Sequence, residues 1–269
     1  MLIWVCAMHC EAKPVIDFYR LKKSHDDNAF DLYRGDNMAC IISGIGKLAS
    51  AAASAWIAAR HDDAASIVWI NLGIAGAATD EPGEIFALNQ VIDADTGQRY
   101  YPAPGADSRI PGRACLTLSQ PSEDYHENYL FDMEASGFMH STLRFSSAEL
   151  TQSVKIVSDN QRYQSGKDRP RISALIHQHI EAIDQQATSL IALNQEIAAL
   201  AIPAESWLQL TALAHFSQTQ KNRLRVLWRY LIKRGLDSEL LLQKLSACTS
   251  SKAIIETLEQ ISYQDSEGL

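Results

Sequence analysis

The stretch MACIISGIGKLASAAASAWIAARH, residues 38–61, decides the fold class, because it contains a strand, a glycine turn and a helix in succession. Residues 38–43 form a short apolar run, which is typical of a buried strand. The segment GIGK interrupts this run. The alanine-rich segment 48–61 then predicts a helix that packs closely against a sheet.

The same order recurs on both sides of this stretch. Residues 2–8 are apolar, and a helical spacing of apolar residues follows from Ala12 to Tyr19. Alternating strands and helices, with glycines at the strand ends, predict an α/β sheet whose ligand site lies beyond the carboxyl ends of its strands. The remaining predictions are strands at 66–73, 114–118 and 154–160, one or two strands within 84–95, glycine turns at 43–47 and 73–77, and a helix that opens near Glu134.

The character of the chain changes after residue 171, since no further glycine occurs before Gly235. We therefore predict two domains, an α/β domain over 1–200 and a helical extension over 201–269. In the extension, residues 220–234 combine a basic face with an apolar stripe. Such a face is usually solvated, although it could also bind phosphates or a partner protein. The predicted helices cover about 172–200, 203–217, 219–234 and 237–262.

Composition limits the class of protein. The chain has 269 residues, 46% of them hydrophobic, and a net charge of −8, which argues against a dedicated binder of nucleic acid or anionic membranes. Its five cysteines are scattered and lack metal-ligand spacing, so we expect reduced thiols in the cytoplasm and no metal site. The first 14 residues lack a basic leader region, and no run is long enough to span a membrane.

Three carboxylates stand where strands are predicted to end. Glu134 lies inside the apolar run FDMEASGFMH, residues 131–140, where a buried carboxylate is costly unless it is paired or hydrogen-bonded. Glu11 could simply favour the first turn of a helix, and Asp159 could be a helix N-cap. Each residue alone has such a structural explanation, so their combination is the informative feature.

Five segments carry a family resemblance when they are taken in order: AMHCEAKPVI (7–16), SGIGKLASAAA (43–53), NLGIAGAATDEPGEIF (71–86), FDMEASGF (131–138) and VKIVSD (154–159). They resemble the nucleoside phosphorylase/nucleosidase superfamily, particularly its 5′-methylthioadenosine/S-adenosylhomocysteine nucleosidase branch. The resemblance implies a three-layer αβα fold with a central twisted mixed sheet, to which the C-terminal helical extension is added. It implies hydrolysis of the N-ribosidic bond of a purine nucleoside without a cofactor. Enzymes of this type are often homodimers.

The resemblance also implies roles for individual residues. Asp159 would be the general acid that protonates the purine N7, and Glu11 would hold and activate the water. Glu134 would bind the ribose hydroxyls, while Met133 packs against the sugar or the base. The other expected substrate contacts are Ile74, Ala75, Gly76 and Ser158.

Two departures from the family pattern affect this reading. Ile74 occupies a position where the superfamily commonly has a serine, and an isoleucine offers phosphate no hydrogen bond, so water is favoured over phosphate as the nucleophile. The segment 119–132 is short, and Tyr125, Tyr129 or Phe131 could stack on the base in place of the family's aromatic residue. A second hypothesis therefore stays open. In it, a catalytically weak relative binds a nucleoside or a nucleic-acid fragment, and its helical tail serves assembly.

Overall fold

The structure is a computed structural model of the 269-residue chain. The described residues divide into two compact units, Met1–Gln195 and Glu196–Leu269. The predicted boundary at residue 200 lies outside the described residues and stays a prediction. The structure describes the whole chain except 26–28, 62–63, 104–108, 123–124, 126–128, 163–167, 200–203 and 267–269.

The first unit alternates strands and helices. Its strands are β1 (Leu2–Cys6), β2 (Lys22–Lys23), β3 (Asp31–Arg34), β4 (Met38–Ile42), β5 (Val68–Ala77), β6 (Ile85–Asp93), β7 (Arg99–Tyr100), β8 (Gly112–Thr117), β9 (Tyr129–Asp132) and β10 (Thr151–Asn160). Its helices are α1 (His9–Phe18), α2 (Lys47–Ala58), α3 (Ala135–Thr142), α4 (Arg169–His177) and α5 (Ile180–Ala199), the last of which continues into the second unit.

The strands form one mixed sheet in the order β10-β6-β8-β9-β5-β1-β4-β3-β2, and β7 pairs with β6. β1 pairs in parallel with β4 and β5, whereas β6 pairs antiparallel with β10. β5 pairs with both β9 and β10, so the five strands β10, β6, β8, β9 and β5 close into a ring. The predicted mixed sheet is confirmed.

Each face of the sheet has its own hydrophobic core, because successive strand residues point to opposite sides. In β1, Leu2, Trp4 and Cys6 pack with apolar residues of α1, α4 and α5. Ile3 and Val5 pack on the other side with residues of α2 and α3. Helices therefore cover both faces, which confirms the predicted three-layer αβα architecture.

The second unit is helical, as predicted for the extension, and has a separate core around Trp228. Its helices are α6 (Ala204–Ala212), α7 (Gln218–Lys233), α8 (Ser238–Leu245) and α9 (Ser251–Ser266). α7 packs against α9, and α6 packs against α8. Gly235 follows α7 with a φ of +86°, which is the left-handed conformation that suits a glycine at a helix end.

Two of the predicted helices are each interrupted. The predicted helix 172–200 is α4 followed by α5, and at the break His179 Nε2 lies 2.6 Å from the carbonyl oxygen of Gly83. The predicted helix 237–262 is α8 followed by α9. The Ser250 hydroxyl accepts a hydrogen bond from the Ala253 N–H at 3.2 Å, which starts the second helix. None of the described helices is both long and apolar enough to cross a membrane.

The prediction of a turn at 73–77 was wrong, because β5 continues without interruption to Ala77. Asp159 lies within β10, so it is not a helix N-cap. The strands β2, β3, β7 and β9 were not predicted. Gly73 and Gly76 of β5 instead leave space beside the strand for the side chains of Glu11 and Tyr125.

Candidate active site

The first unit contains a cavity of about 840 Å³ at one end of the sheet. It is bounded by the start of α1, the loop before α2, the end of β5, the junction of β9 and α3, and the end of β10. The structure brings every predicted site residue to this cavity. These residues are Glu11, Ile74, Ala75, Gly76, Met133, Glu134, Ser158 and Asp159.

Glu11 is buried at the start of α1 and is held by two backbone N–H groups. Its Oε2 accepts a hydrogen bond from the Met8 N–H at 2.8 Å, and its Oε1 accepts one from the Ile74 N–H at 2.9 Å. Burial raises the pKa of Glu11, while the nearby Lys155 and these N–H groups act to lower it. A fixed, buried carboxylate of this kind can accept a proton from a bound water.

The glycines of β5 allow side chains to approach the strand closely. A Cβ on Gly73 would lie 2.7 Å from Glu11 Oε1 and 3.4 Å from Lys155 Nζ. A Cβ on Gly76 would overlap the ring of Tyr125. Neither glycine has a positive φ, so the requirement is for space beside the backbone and not for a turn conformation.

Glu134 is the N-cap residue of α3 and is also buried. Its Oε1 accepts a hydrogen bond from the Gly46 N–H at 2.8 Å. Gly46 has a φ of +105°, which a glycine tolerates far better than other residues do. Burial, together with the negative charges of Asp132 and Glu11, raises the pKa of Glu134 to about 7, against the opposing effect of Lys155.

Lys155 was missed by the sequence analysis, although it is the charged centre of the site. Its side chain is 1% exposed, and its Nζ lies 2.9 Å from Asp132 Oδ2 and 3.9 Å from Glu134 Oε2. Burial alone would lower the pKa of Lys155, but Asp132, Glu134 and Glu11 raise it above its ordinary value. A lysine between Val154 and Ile156, in a segment predicted to be a strand, was the signal that could have identified it.

Asp132 balances this lysine. Burial opposes its ionisation, but Lys155 and the hydrogen bonds that it accepts hold the pKa of Asp132 below its ordinary value. Those bonds include one from the Thr117 hydroxyl and one from the Ala135 N–H, both at 2.7 Å. Asp132 is therefore the ionised partner of Lys155.

Asp159 lies near the end of β10, just after an irregularity in the pairing of β10 with β5. The hydroxyls of Tyr125 and Ser158 donate hydrogen bonds to its two carboxylate oxygens. The ring of Tyr125 packs against Phe131 with centroids 5.1 Å apart, and both rings line the cavity. Tyr129 is not among the cavity-lining residues that the structure describes.

The lining is acidic and apolar. Among the described lining residues there are five carboxylates and no lysine, arginine or histidine. No group of three or more His, Cys, Asp and Glu side chains in the described ranges could hold a metal ion. The cavity therefore suits a neutral or cationic ligand with an apolar part. The carboxylates are Glu11, Asp132, Glu134, Asp159 and Asp168.

Comparison with known proteins gives matches of structure but not of sequence. No protein-family model matches the chain, and no curated protein matches its sequence. The structure is similar to a Helicobacter pylori MTAN mutant with 5′-methylthioadenosine in its active site, with a TM-score of 0.58 and 12% identity over 70% of this chain and 97% of that one.

Two further structures are similar to a comparable degree. The 5′-methylthioadenosine/S-adenosylhomocysteine nucleosidase of Neisseria meningitidis, in complex with methylthio-immucillin-A, gives a TM-score of 0.55 and 16% identity over 71% of this chain and 97% of that one. The S. pneumoniae nucleosidase, solved with the transition-state inhibitor MT-ImmA, gives a TM-score of 0.55 and 16% identity, and the match covers 72% of this chain and 100% of that one. The chain thus has the fold of the 5′-methylthioadenosine/S-adenosylhomocysteine nucleosidases, with additional helices at its C-terminus.

Proposed function

We propose that the chain hydrolyses the N-ribosidic bond of a purine nucleoside. The observation that carries this proposal is the meeting of Glu11, Glu134 and Asp159, which are far apart in the sequence, in one cavity of about 840 Å³. A nucleoside-sized ligand fits a pocket of this volume. The three acids offer separate positions for holding water, sugar and base.

In the proposed reaction, a water oxygen attacks C1′ of the ribose, and the bond between C1′ and N9 breaks with its electron pair passing to the purine. Asp159 donates a proton to the purine N7, so the base leaves as a neutral molecule. Glu11 accepts a proton from the attacking water. The products are the free base and a sugar with an anomeric hydroxyl, and the proton gained by Glu11 balances the proton lost by Asp159.

Glu134 is the proposed ribose anchor. Its Oε1 is already held by the Gly46 N–H, so its orientation is fixed before the substrate binds. As a carboxylate it would accept hydrogen bonds from the sugar hydroxyls and stabilise the positive charge that develops on the ring in the transition state. Met133 and Phe131 supply apolar surface beside it.

Water is the proposed nucleophile, and the lining supports this choice. Phosphate binding needs several donors, typically arginines and hydroxyls. The described lining contains no cationic side chain. The only hydrogen-bond donor of Ile74 is its backbone N–H, and this group already donates to Glu11. A phosphorylase is therefore not favoured.

The decisive experiment measures release of free base from a panel of purine nucleosides, including 5′-methylthioadenosine, with and without phosphate. Release without phosphate supports the proposal. Strict dependence on phosphate would indicate a phosphorylase, and absence of release across the panel would favour the hypothesis of a catalytically weak binding protein.

Asp159→Asn tests the identity of the acid. The amide oxygen can still accept a hydrogen bond from Tyr125 or Ser158, but the side chain has no carboxylic proton to donate, so we expect turnover to fall by about 10²–10⁴-fold. Asp168→Asn is a matched control, because Asp168 lines the same cavity but caps α4 through the Arg171 N–H, a role that asparagine can fill. Equal losses in both variants would contradict the assignment.

The finer expectations remain proposals. We propose a cytoplasmic enzyme, which the free thiols of all five cysteines support. A homodimer and the domain boundary at residue 200 are proposed from the resemblance and the sequence. Size measurements in solution would test the first, and limited proteolysis around residues 196–204 would test the second.

A further inference from the structure

Gly76 brings three parts of the cavity together. Because β5 pairs with both β9 and β10, Gly76 lies opposite Phe131 of β9 and also opposite Asp159 of β10. The side chain of Tyr125 fills the space beside this glycine, since a Cβ on Gly76 would overlap both the ring and the hydroxyl of Tyr125. The strand pairing and the missing side chain thus place Tyr125 next to the proposed acid.

Tyr125 is held at its ring and at its backbone. Its side chain is buried, and its ring packs against the ring of Phe131 with centroids 5.1 Å apart. The Gln161 Nε2 donates a hydrogen bond to the Tyr125 carbonyl oxygen at 2.9 Å. A buried phenol hydroxyl needs a hydrogen-bond partner, and here it donates to Asp159 Oδ2. The packing of the ring therefore aims the hydroxyl at Asp159.

Ser158 contacts the second oxygen of the same carboxyl group. The pairing of β10 with β5 skips Ser158, because Val157 lies opposite Ala75 and Asp159 lies opposite Gly76. An irregularity of this kind re-aims the side chains next to it. The Ser158 hydroxyl donates a hydrogen bond to Asp159 Oδ1. The carboxyl group is therefore held at both of its oxygens.

We propose that Tyr125 is a positioning residue, whose hydroxyl orients the Asp159 carboxyl group for proton transfer to the purine N7. The role rests on the proposed function, since it requires Asp159 to be the acid. A protonated carboxyl group keeps acceptor capacity beside its one O–H, so both hydroxyl contacts can persist while Asp159 carries the proton that it donates. Tyr125 keeps its own proton throughout.

The orientation of the acid matters for the rate of the chemical step. Proton transfer requires an oxygen of Asp159 within hydrogen-bond reach of N7, which is about 2.6–3.2 Å. Without the Tyr125 hydroxyl, the carboxyl group could rotate, and the productive orientation would be one among several. Small errors in the placement of reacting groups lower the rate strongly. The hydroxyl is therefore expected to act on turnover more than on substrate binding.

The same contact has an opposite interpretation, in which the Tyr125 hydroxyl blocks Asp159 and must leave before the base can bind. The packing disfavours this interpretation. Displacement of the ring would expose a buried aromatic side chain and remove its contacts with Phe131 and Gly76. The two interpretations predict opposite effects on turnover, because removal of a blocking hydroxyl would speed the reaction.

Tyr125→Phe tests the proposal, since it keeps the ring and removes only the hydroxyl. We expect kcat for base release to fall by about tenfold to a hundredfold, as for the loss of a hydrogen bond to a charged group. KM should stay within about twofold, because the loss falls on the transition state. Tyr101→Phe is the matched control. Tyr101 is 60% exposed and lies outside the described lining, so its variant should keep the wild-type kcat.

A second measurement separates positioning from a general structural effect. In the Asp159→Asn background, Tyr125→Phe should lower kcat by no more than about twofold further, because an amide has no proton to position. Single-turnover experiments with excess enzyme can measure these low rates. A structural role would instead lower kcat by the same factor in both backgrounds.

Circular dichroism would verify that the Tyr125→Phe variant is folded. If it were not, Gly76→Ala would test the same contact, because the added Cβ displaces the Tyr125 ring while the φ of Gly76 is not positive. A folded variant with unchanged or faster turnover, or equal losses in both backgrounds, would overturn the proposed role of Tyr125 and leave the proposed function intact. A wild type that releases no base would refute the proposed function itself.

Discussion

At the scale of single residues, Lys155 determines the charge of the whole site. Three carboxylates, Glu11, Asp132 and Glu134, act electrostatically on this one buried cation. Burial raises the pKa of Glu11 and of Glu134, and the charges of Asp132 and Glu11 add to the rise at Glu134. Lys155 and accepted hydrogen bonds instead hold the pKa of Asp132 below its ordinary value. The site therefore separates one permanent ion pair from two carboxyl groups that can exchange protons.

Replacing Lys155 by methionine tests this arrangement. The change leaves Asp132 buried without its cation, so we expect a loss of about 3–5 kcal/mol in the free energy of unfolding. Urea denaturation at neutral pH measures it. Lys155→Arg keeps the positive charge and serves as the control, with a smaller loss. Equal stability of Lys155→Met and the wild type would show that the ion pair does not hold Asp132.

Glu134 gives the site a dependence on pH. Its pKa is raised from 4.5 to about 7, so between these two pH values the folded protein binds more protons than the unfolded chain. The free energy of unfolding should therefore fall as pH rises through this window and level off above about 7. As the proposed ribose anchor, Glu134 would accept the hydrogen bonds of the sugar hydroxyls more strongly once it is ionised.

The variant Glu134→Gln removes this titration. We expect it to match the wild type at pH 4 and to exceed its stability at pH 8 by on the order of 2–3 kcal/mol, while activity falls. Urea denaturation at both pH values gives the difference. Glu149→Gln, at an exposed carboxyl group whose pKa is lowered, should not reproduce it. A loss of stability in Glu134→Gln at pH 8 would contradict the assigned direction.

At the scale of elements, the start of α2 is fixed to its neighbours at several points. Lys47 Nζ lies 2.8 Å from Asp93 Oδ2 and 2.6 Å from Asp95 Oδ2. The Ser136 hydroxyl of α3 donates a hydrogen bond to Asp93 at 2.7 Å. A Cβ on Gly137 of α3 would overlap the carbonyl group of Lys47, so the backbones of α2 and α3 are in direct contact there. These contacts hold the adjacent Gly46 N–H against Glu134.

We therefore expect Lys47→Met to weaken substrate binding more than turnover. Releasing the start of α2 would loosen the N–H that orients Glu134, and the loss of one charge-assisted hydrogen bond corresponds to about a tenfold rise in KM. Steady-state kinetics separates KM from kcat. Lys13→Met is the control, because the Lys13–Asp17 pair is exposed and should contribute little. A change confined to kcat would count against a positioning role.

The elements that follow local patterns were predictable from the sequence, and those that depend on distant partners were not. The alternation around residues 38–61 predicted β4 and α2 because apolar periodicity is a local signal. Gly73 and Gly76 were misread as a turn, since their purpose is to admit Glu11 and Tyr125, which lie far away in sequence. The resemblance of the five ordered segments to a known family supplied the expectation that Glu11, Glu134 and Asp159 share one site, whereas the central role of Lys155 emerged only from the fold.

At the scale of the whole molecule, the two units have separate hydrophobic cores, and the cavity belongs to the first unit. The described lining of the cavity comes from residues 7–168 alone, whereas Trp228 and its neighbours form the core of the helical unit. The proposed chemistry therefore rests on the first unit alone.

Trp228→Ala tests this division. Removal of a fully buried tryptophan should destabilise the helical unit by about 3–5 kcal/mol. Calorimetry should show a transition of the helical unit moved to lower temperature, while the rate of base release well below that transition stays unchanged. A parallel loss of base release would show that the cavity depends on the second unit.

The closed ring of β10, β6, β8, β9 and β5 has a consequence for how copies of the chain can meet. A strand within a ring offers no free hydrogen-bonding side, so another chain cannot extend the sheet there. In the described sheet, β2 is the last strand of the order and β7 pairs only with β6. Each of these two strands is two residues long, and β2 consists of two exposed lysines. Strand addition is thereby disfavoured at these margins, so copies of the chain that associate would meet through side chains and not by extending the described sheet.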